Sequence, residues 1–419
     1  MMNTDKNDIN FELNTLRELV ARYYEAAVSD DNINNIMAHK RINDLKNNRP
    51  IVLIDEVPWH EMNFDGSLDC VCTDNLFRRI ESHLRVQLYK WKYMRADMVL
   101  PPYIGIGKVI RSTGYGIGRM HDDKLAQDNA DIQVHTFVDQ ITTLEDVEKL
   151  HNEVITYDKD LTESIYNKVG EAIGDIIPVR ITGQHGSYEI GCKIWDDISW
   201  IKSIDQIMYD MIDEPELMHA LASKLTDILI DKYRQYEELN LFDTDAFYNH
   251  SASALSNDIE RPKSGVVTRK NVWGRGLAQI LAVVSPEMHD EFDITYQLRA
   301  LEGFGPVYYG CCEPLHNKIH ILEKIPNLRK ISITPWADVD IAAEKMGKRY
   351  VLSAKPNPAA LAESVLDEVA LRKELSKIVN ACKRNDTNCE FVIKDITTVK
   401  NKPENLFLWQ KIAMETVQE

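Results

Sequence analysis

VYYGCCEPLHNKIHILEKIPNLRKISITPWADVDIAAEKMGKRYVLSAKPNP, residues 307–358, is the stretch whose pattern decides the architecture of this chain. Three short runs of β-branched and aromatic residues, VYY at Val307, ISIT at Ile331 and VLSA at Val351, are separated by longer segments with helical spacing. A parallel neighbour can be reached only through a long crossover, so this alternation predicts parallel strands joined by helices. The pattern extends outward to IVLI at Ile51, MVL at Met98, VRIT at Val179 and AFY at Ala246 on one side, and to FVIK at Phe391 on the other.

Eight strand candidates match an α/β fold of the (β/α)8 TIM-type barrel class with an N-terminal helical extension. Residues 105–175 have a weaker pattern that leaves room for a further strand or an inserted subdomain. Residues 10–48 read as helical, because Leu13, Leu16, Leu19, Val20, Tyr23 and Tyr24 recur at helical spacing among charges. Asp213 is expected to cap the helix DEPELMHALASKLTDILIDKY, with Leu217, Leu221, Leu225 and Leu229 along one face. In SPEMHDEFDITYQL, Ser285 suits the cap, Pro286 the first turn and Glu287 the positive end of the helix dipole. No repeat or linker interrupts the chain, so residues 1–50 are read as the extension and 51–419 as one barrel.

Lys plus Arg number 49 against 66 Asp plus Glu, a net charge of −17 that repels a phosphate backbone and argues against nucleic-acid binding. The polar start MMNTDKNDIN and the lack of a long apolar run point to a cytoplasmic protein without a membrane span. Seven cysteines without a small-scaffold spacing imply free thiols in a reducing compartment. The N-terminal helical segment is also a candidate homodimer contact.

In a barrel of this kind the chemistry belongs on the loops after the strands. Those positions hold Asp55, Glu56, His60 and Glu61 after the first strand, then Gln184 and His185, Asn249 and His250. Further along stand Cys311, Cys312, Glu313 and His316, Trp336 and Asp338, Lys355 and Asn357, and Asp395 and Thr397. Thiolate and imidazole suit Zn²⁺, and a catalytic zinc needs three protein ligands and an open position. Cys311, Cys312 and His316 are the metal candidates, set against the reading that the cysteines are small buried residues at a strand end. His250, Glu56, Lys355 and His185 are the catalytic candidates; each has the plainer alternative of a satisfied or solvated loop residue. The glycines beside His185 would let a backbone approach a ligand closely. The TGYGIG series at Thr113 follows no clear strand and reads as a turn or substrate loop, and Cys70, Cys72, Cys192, Cys382 and Cys389 read as structural.

Taken in order, DEPELMHAL, SPEMHDEF, GCCE and KPNP make residues 85–415 resemble the uroporphyrinogen-decarboxylase superfamily. The resemblance implies a (β/α)8 barrel and either decarboxylation or the zinc-dependent methyl transfer of the superfamily's other branch, in which a His-x-Cys motif and a later cysteine hold the metal. This chain departs from both patterns. NRPIVLIDEVPWHEMNF, at residues 48–64, lacks the arginine-rich motif that grips a polycarboxylate porphyrinogen, which disfavours the heme-pathway reaction. Tyr309 stands at the motif's histidine, Cys311 at its cysteine, and Ile396 near the later cysteine, so a zinc would have to recruit Glu56, His250 or His316.

The resemblance therefore implies a zinc-dependent methyltransferase that moves a methyl group from a small O-methyl or N-methyl substrate to a corrinoid on a separate partner protein, or from methyl-corrinoid to a thiol. Trp336, Asp338 and Asn357 would face the corrinoid or substrate, with Trp336 and Trp273 as aromatic walls. The rival expectations are a metal-free decarboxylase-like carboxy-lyase, with Lys355 and Asp338 on a carboxylated substrate, and a barrel without catalysis that serves as a scaffold.

Overall fold

The computed structural model describes residues 2–46, 49–118, 120–122, 136–186 and 190–418. Its strands are β1 (Ile51–Ile54), β2 (Ile104–Gly107), β3 (Ile110–Ser112), β4 (His121–Asp122), β5 (Thr136–Phe137), β6 (Ile155–Tyr157) and β7 (Val179–Thr182). They continue as β8 (Tyr248–Asn249), β9 (Ala252–Ser253), β10 (Gly274–Gly276), β11 (Val307–Tyr309), β12 (Leu328–Ile333), β13 (Val351–Ala354) and β14 (Asn388–Ile393). Six of them form a wholly parallel sheet in the order β1-β14-β13-β12-β11-β10, and β2 pairs with β7 in a second parallel sheet. Single parallel bridges, Cys192 to Gly276 and Gln184 to Phe242, extend these ladders. The protein is a mixed α/β structure around a parallel sheet, and among the described residues the ladder does not run as one closed ring.

The two faces of the large sheet bury different things, as the two-residue period of a strand requires. Val52, Ile54, Ile331, Ile333, Leu352, Ala354, Phe391 and Ile393 point into the main core under the helices. The alternate positions Ile51, Leu53, Tyr308, Val351 and Val392 form an inner cluster with Trp273, Ala246, Ala252 and Ala254. Interleaved on that inner face are fully buried polar groups, Lys330, Ser332, Ser353 and Glu390.

Three expectations need correction. MVL at Met98 is buried but is not a strand: Asn32 and Asn35 side chains bind the carbonyls of Leu100 and Met98, Asn32 accepts from the Leu100 N–H, and the Val99 N–H donates to Tyr248. Side chains have taken the bonds a ladder would need, and the strand starts later, at Ile104. AFY at Ala246 leads into the antiparallel hairpin β8-β9, not into the parallel sheet. The sheet strand GRG at Gly274 carries no β-branched or aromatic residue and escapes a composition-based reading.

The helical expectations largely hold, with shifted ends. Residues 10–48 divide into helices Met2–Ala27 and Asp30–Asn43, the second capped by the Ser29 side chain. Leu16, Leu19, Val20 and Tyr23 pack with Leu84, Ile104 and Ile173. Asp213 ends the helix Ile204–Asp213, and the next helix begins at Pro215 with Glu214 as its cap residue. Ser285 does cap Pro286–His289, which continues through a π-helical turn, Asp290–Ile294. Part of the weakly patterned stretch 105–175, residues 123–135, lies outside the described residues; elsewhere it forms the short antiparallel pairs β3-β6 and β4-β5. No described helix is long and apolar enough to cross a membrane.

Candidate active site

Strands β11 to β14 end side by side, and the residues that follow them share one cavity of about 340 Å³. Cys311 and Cys312, then Thr334, Pro335 and Trp336, then Lys355 to Ala359, and finally Lys394, Asp395 and Thr397 line it. Parallel strands deliver their C-terminal ends to the same edge, which is why positions 80 residues apart in sequence converge here. Gly310 makes the turn out of β11: its φ is +93°, and a Cβ there would run into the Leu315 side chain. Beyond it the Cys311 N–H donates to the buried Glu313 carboxylate at 2.8 Å, and its carbonyl accepts from Ser332 at 2.8 Å. Cys311 is thus fixed at both backbone groups.

The Cys311 sulfur lies 3.3 Å from His250 Nε2 and 3.6 Å from the Cys312 sulfur. Lys394 Nζ stands 3.4 Å from the same His250 nitrogen and 3.2 Å from Glu56 Oε1. The other Glu56 oxygen accepts from the Asp395 N–H at 3.2 Å. His250 reaches this position on the tip of the β8-β9 hairpin, where His250 and Ser251 both have positive φ, +46° and +67°, as a tight two-residue turn requires. Glu56 at +47° and Asp395 at +56° share the same strained region. Backbone strain of this kind, concentrated where four side chains meet, is held in place only by surrounding packing.

The electrostatics single out Cys311. The hydrogen bond from Cys312 lowers its pKa most; burial opposes this, and His250, Arg275 and Lys394 add to the lowering, so Cys311 is held far below an ordinary thiol. Cys312 is pushed up, first by sharing that hydrogen bond and then by burial. Burial alone would lower Lys394, yet the charges of Cys311, Glu56 and Asp395 raise it. The arrangement favours a thiolate at Cys311, within hydrogen-bond distance of an imidazole and a thiol and beside a buried ammonium.

Zinc is the cofactor these residue types suggested, and the distances test it. Zn–S near 2.3 Å and Zn–N near 2.0 Å give tetrahedral edges of roughly 3.5 Å for N···S and roughly 3.8 Å for S···S, so the two edges present here are of the right size. The third side fails. Lys394 occupies it as a cation, and among the described residues no three His, Cys, Asp or Glu side chains are arranged to hold a metal ion. As they stand, the side chains do not fit a zinc site.

Other expected residues are elsewhere. His316 makes no hydrogen bond to either cysteine, and its Nδ1 is buried without a partner. The glycines flanking His185 serve chain packing, not ligand approach: a Cβ at Gly183 would strike the Leu241 carbonyl and one at Gly186 the Trp273 carbonyl. Asp338 and Asn357 spend their side-chain oxygens on capping, Asp338 from the N–H groups of Asp340 and Ile341, Asn357 from that of Ala359. Asn357 still borders the cavity, and Trp336, 72 % exposed, forms its rim. Trp273 is core, its indole N–H bonded to the Ala254 carbonyl.

Two groups of residues were missed. Lys394 was read only as the last letter of a strand. The inner-face set Arg275, Tyr308, Lys330 and Glu390 escapes a composition-based reading, although Lys330, Ser332 and Thr334 in LRKISIT, and Asn388, Glu390 and Lys394 in NCEFVIK with Val392 between them, fall on alternate positions that signal a polar sheet interior. Lys330 donates to Glu390 at 2.9 Å, Ser353 donates to Glu390 at 2.6 Å, and Lys355 donates to Ser353 Oγ at 2.6 Å and to the Tyr308 hydroxyl at 3.1 Å. The seven cysteines are all free thiols.

No family model matches this chain, and no curated protein matches it. Among solved structures it is similar to a methyltransferase from Methanosarcina mazei at 12 % identity, over 90 % of this chain and 98 % of that one, with a TM-score of 0.46. At that overlap the likeness carries no inference about activity.

Proposed function

We propose that this chain is a methyltransferase that takes a methyl group from a small O-methyl or N-methyl compound and passes it to a corrinoid on a separate protein. Closure of the two parallel sheets into a (β/α)8 barrel belongs to the same reading. The observation that carries it is the Cys311 sulfur, which lies 3.3 Å from His250 Nε2 and within the field of Lys394, lines the same small cavity as Pro335, Pro356, Pro358 and Trp336, and has its pKa lowered by its surroundings. The superfamily resemblance supplies the reaction type.

A docked corrinoid supplies the cobalt(I) that accepts the methyl group. This chain's residues bind the donor, shield it from water and supply a proton. When the C–O or C–N bond breaks, its electron pair stays on the departing oxygen or nitrogen, which then takes a proton from Lys394. The Cys311 thiolate and Glu56 keep Lys394 charged for that task, and Asp395 reinforces them. A raised Lys394 is a weak acid, so its proton delivery falls at the low end of general-acid catalysis and Lys394→Met is expected to lose about 10²-fold in rate.

The test replaces the partner with free cob(I)alamin and a panel of methoxy and methylamino compounds, and follows loss of the cob(I)alamin spectrum while the metal content of the same protein is measured. Turnover of at least one donor that collapses in Cys311→Ser and Lys394→Met supports the proposal. Unchanged turnover in Cys311→Ser removes Cys311 from the mechanism, and release of CO2 from carboxylated compounds without methyl transfer replaces the reading with the carboxy-lyase. One zinc per chain that disappears with Cys311→Ser would place His250, Cys311 and Cys312 on a metal after a shift of Lys394.

A further inference from the structure

The inner face of the sheet holds more positive charge than its contacts account for. Lys330 is bonded to Glu390, the carboxylate of that buried set. Lys355, 7 % exposed and lining the cavity, touches only neutral oxygens, those of Ser353 and Tyr308. Arg275, 1 % exposed, lies over the Tyr308 ring at 4.1 Å; it donates through one nitrogen to the Gly276 and Tyr308 carbonyls, and its Nε and Nη2 have no partner. Among the described residues no carboxylate stands within ion-pair distance of either cation. Thr334, also lining the cavity, has a buried hydroxyl without a partner. Glu390, already paired with Lys330, is the carboxylate that Lys355 acts on through Ser353; a buried cation with only a shared, indirect counter-charge and a buried hydroxyl without a partner each cost stability, and such groups persist where a ligand completes them.

We propose that the substrate is an anion whose carboxylate is bound at the Lys355 and Thr334 end of the cavity, with Arg275 adding its field from below. Sheet order sets the geometry. Thr334 follows β12, which lies between β11, leading to Cys311, and β13, leading to Lys355. Two strand spacings are roughly 10 Å. A small acid with its methyl group at the far end from its carboxylate spans that distance, and the Cys311 thiolate repels the carboxylate from its own end. The proposal rests on reading this cavity as the methyl-donor site, but it is testable by binding alone.

The probes are 4-methoxybenzoate and 4-methoxycinnamate against their uncharged amides, with binding measured calorimetrically and by thermal shift on wild type, Lys355→Met and Thr334→Val. The acids are expected to bind wild type at least 10-fold more tightly than the amides and to lose that advantage in Lys355→Met, whose unliganded form melts no lower than wild type because a cation with only an indirect counter-charge is gone. Equal binding of acids and amides, or a Lys355→Met protein that melts several degrees lower and leaves acid binding intact, overturns the proposal. Acids that bind without any methyl transfer would sink the methyltransferase reading and leave this one standing; turnover of neutral donors with no acid binding would do the reverse.

Discussion

Glu390 and Lys330 are buried completely and form a direct ion pair at 2.9 Å. Removing one partner of such a pair costs about 3–5 kcal/mol, whereas replacing both with apolar groups of similar size is often neutral. Lys330→Ala is therefore expected to lose about 3–5 kcal/mol in urea denaturation, and Lys330→Met combined with Glu390→Met to recover most of that loss. Recovery would show that the pair is kept for the polarity of the cavity floor, since it would then add nothing to stability. Burial raises the pKa of Glu81, but the N–H groups of Cys72 and Val71 and the Arg85 guanidinium outweigh this and hold it below the ordinary carboxylate value. A depressed carboxylate stabilises the fold above its unfolded value, near 4.3, and that contribution disappears as pH falls through the folded value. Glu81→Gln is expected to lower the melting temperature at pH 7 and to have a much smaller effect near pH 3; an equal loss at both would contradict the assignment.

The β8-β9 hairpin is the element that turns a parallel sheet into a site. It enters the inner face, where the Ser253 N–H donates to Glu390 and the Ser253 carbonyl accepts from Lys330, and its turn projects His250 toward Cys311. A left-handed conformation costs roughly 1–2 kcal/mol for a residue with a Cβ and more for a β-branched one. Ser251→Val should thus lose about 1–2 kcal/mol or more while Ser251→Gly loses little; calorimetric melting of the two variants checks it. This hairpin also marks where the sequence stops being legible. IVLI, VRIT, VYY, ISIT, VLSA and FVIK announce themselves because a buried strand selects branched and aromatic side chains, and their loops therefore located Cys311, Trp336 and Lys355 at the cavity. AFY has the same composition and became a hairpin, because its partner strand is its own continuation across the Asn249–Ala252 turn. GRG has the opposite composition and became a strand, because its neighbours pack so closely that a Cβ at Gly276 would meet Gln297 and Tyr309. The contact between His250 and Lys394, 144 residues apart, depends on that topology and leaves no local trace.

At the scale of the whole molecule, the N-terminal helices are joined to the rest by more than apolar contact. Asn32 bonds the backbone of Leu100 in both directions, Asn43 reaches Ser253 on the hairpin, and Arg49 makes a two-fold contact with Asp97. Leu16, Leu19, Val20 and Tyr23 cover a core shared with Leu84, Leu100 and Ile173. A chain that starts at residue 51 is accordingly expected to lose cooperative thermal unfolding, and a sharp transition in that truncated chain would show the helices to be dispensable. The net charge of −17 is spread over a surface rich in exposed ion pairs, each worth little, so function concentrates where charge is buried: Cys311, Lys394, Lys355, Lys330 and Glu390 along one sheet. A Cys311 that rests as a thiolate reveals itself in its rate of alkylation by iodoacetamide against pH, read by peptide mass for each cysteine. An unperturbed thiol with a value near 8.5 is about 0.1 % ionised at pH 5.5. Cys311 alone is expected to react there still, at a rate nearly flat from pH 5.5 to 8, and Cys312→Ala, which removes the largest cause of the lowering, to restore a steep rise with pH. A Cys311 rate that climbs tenfold per pH unit in the wild type, in step with Cys312, would contradict a resting thiolate.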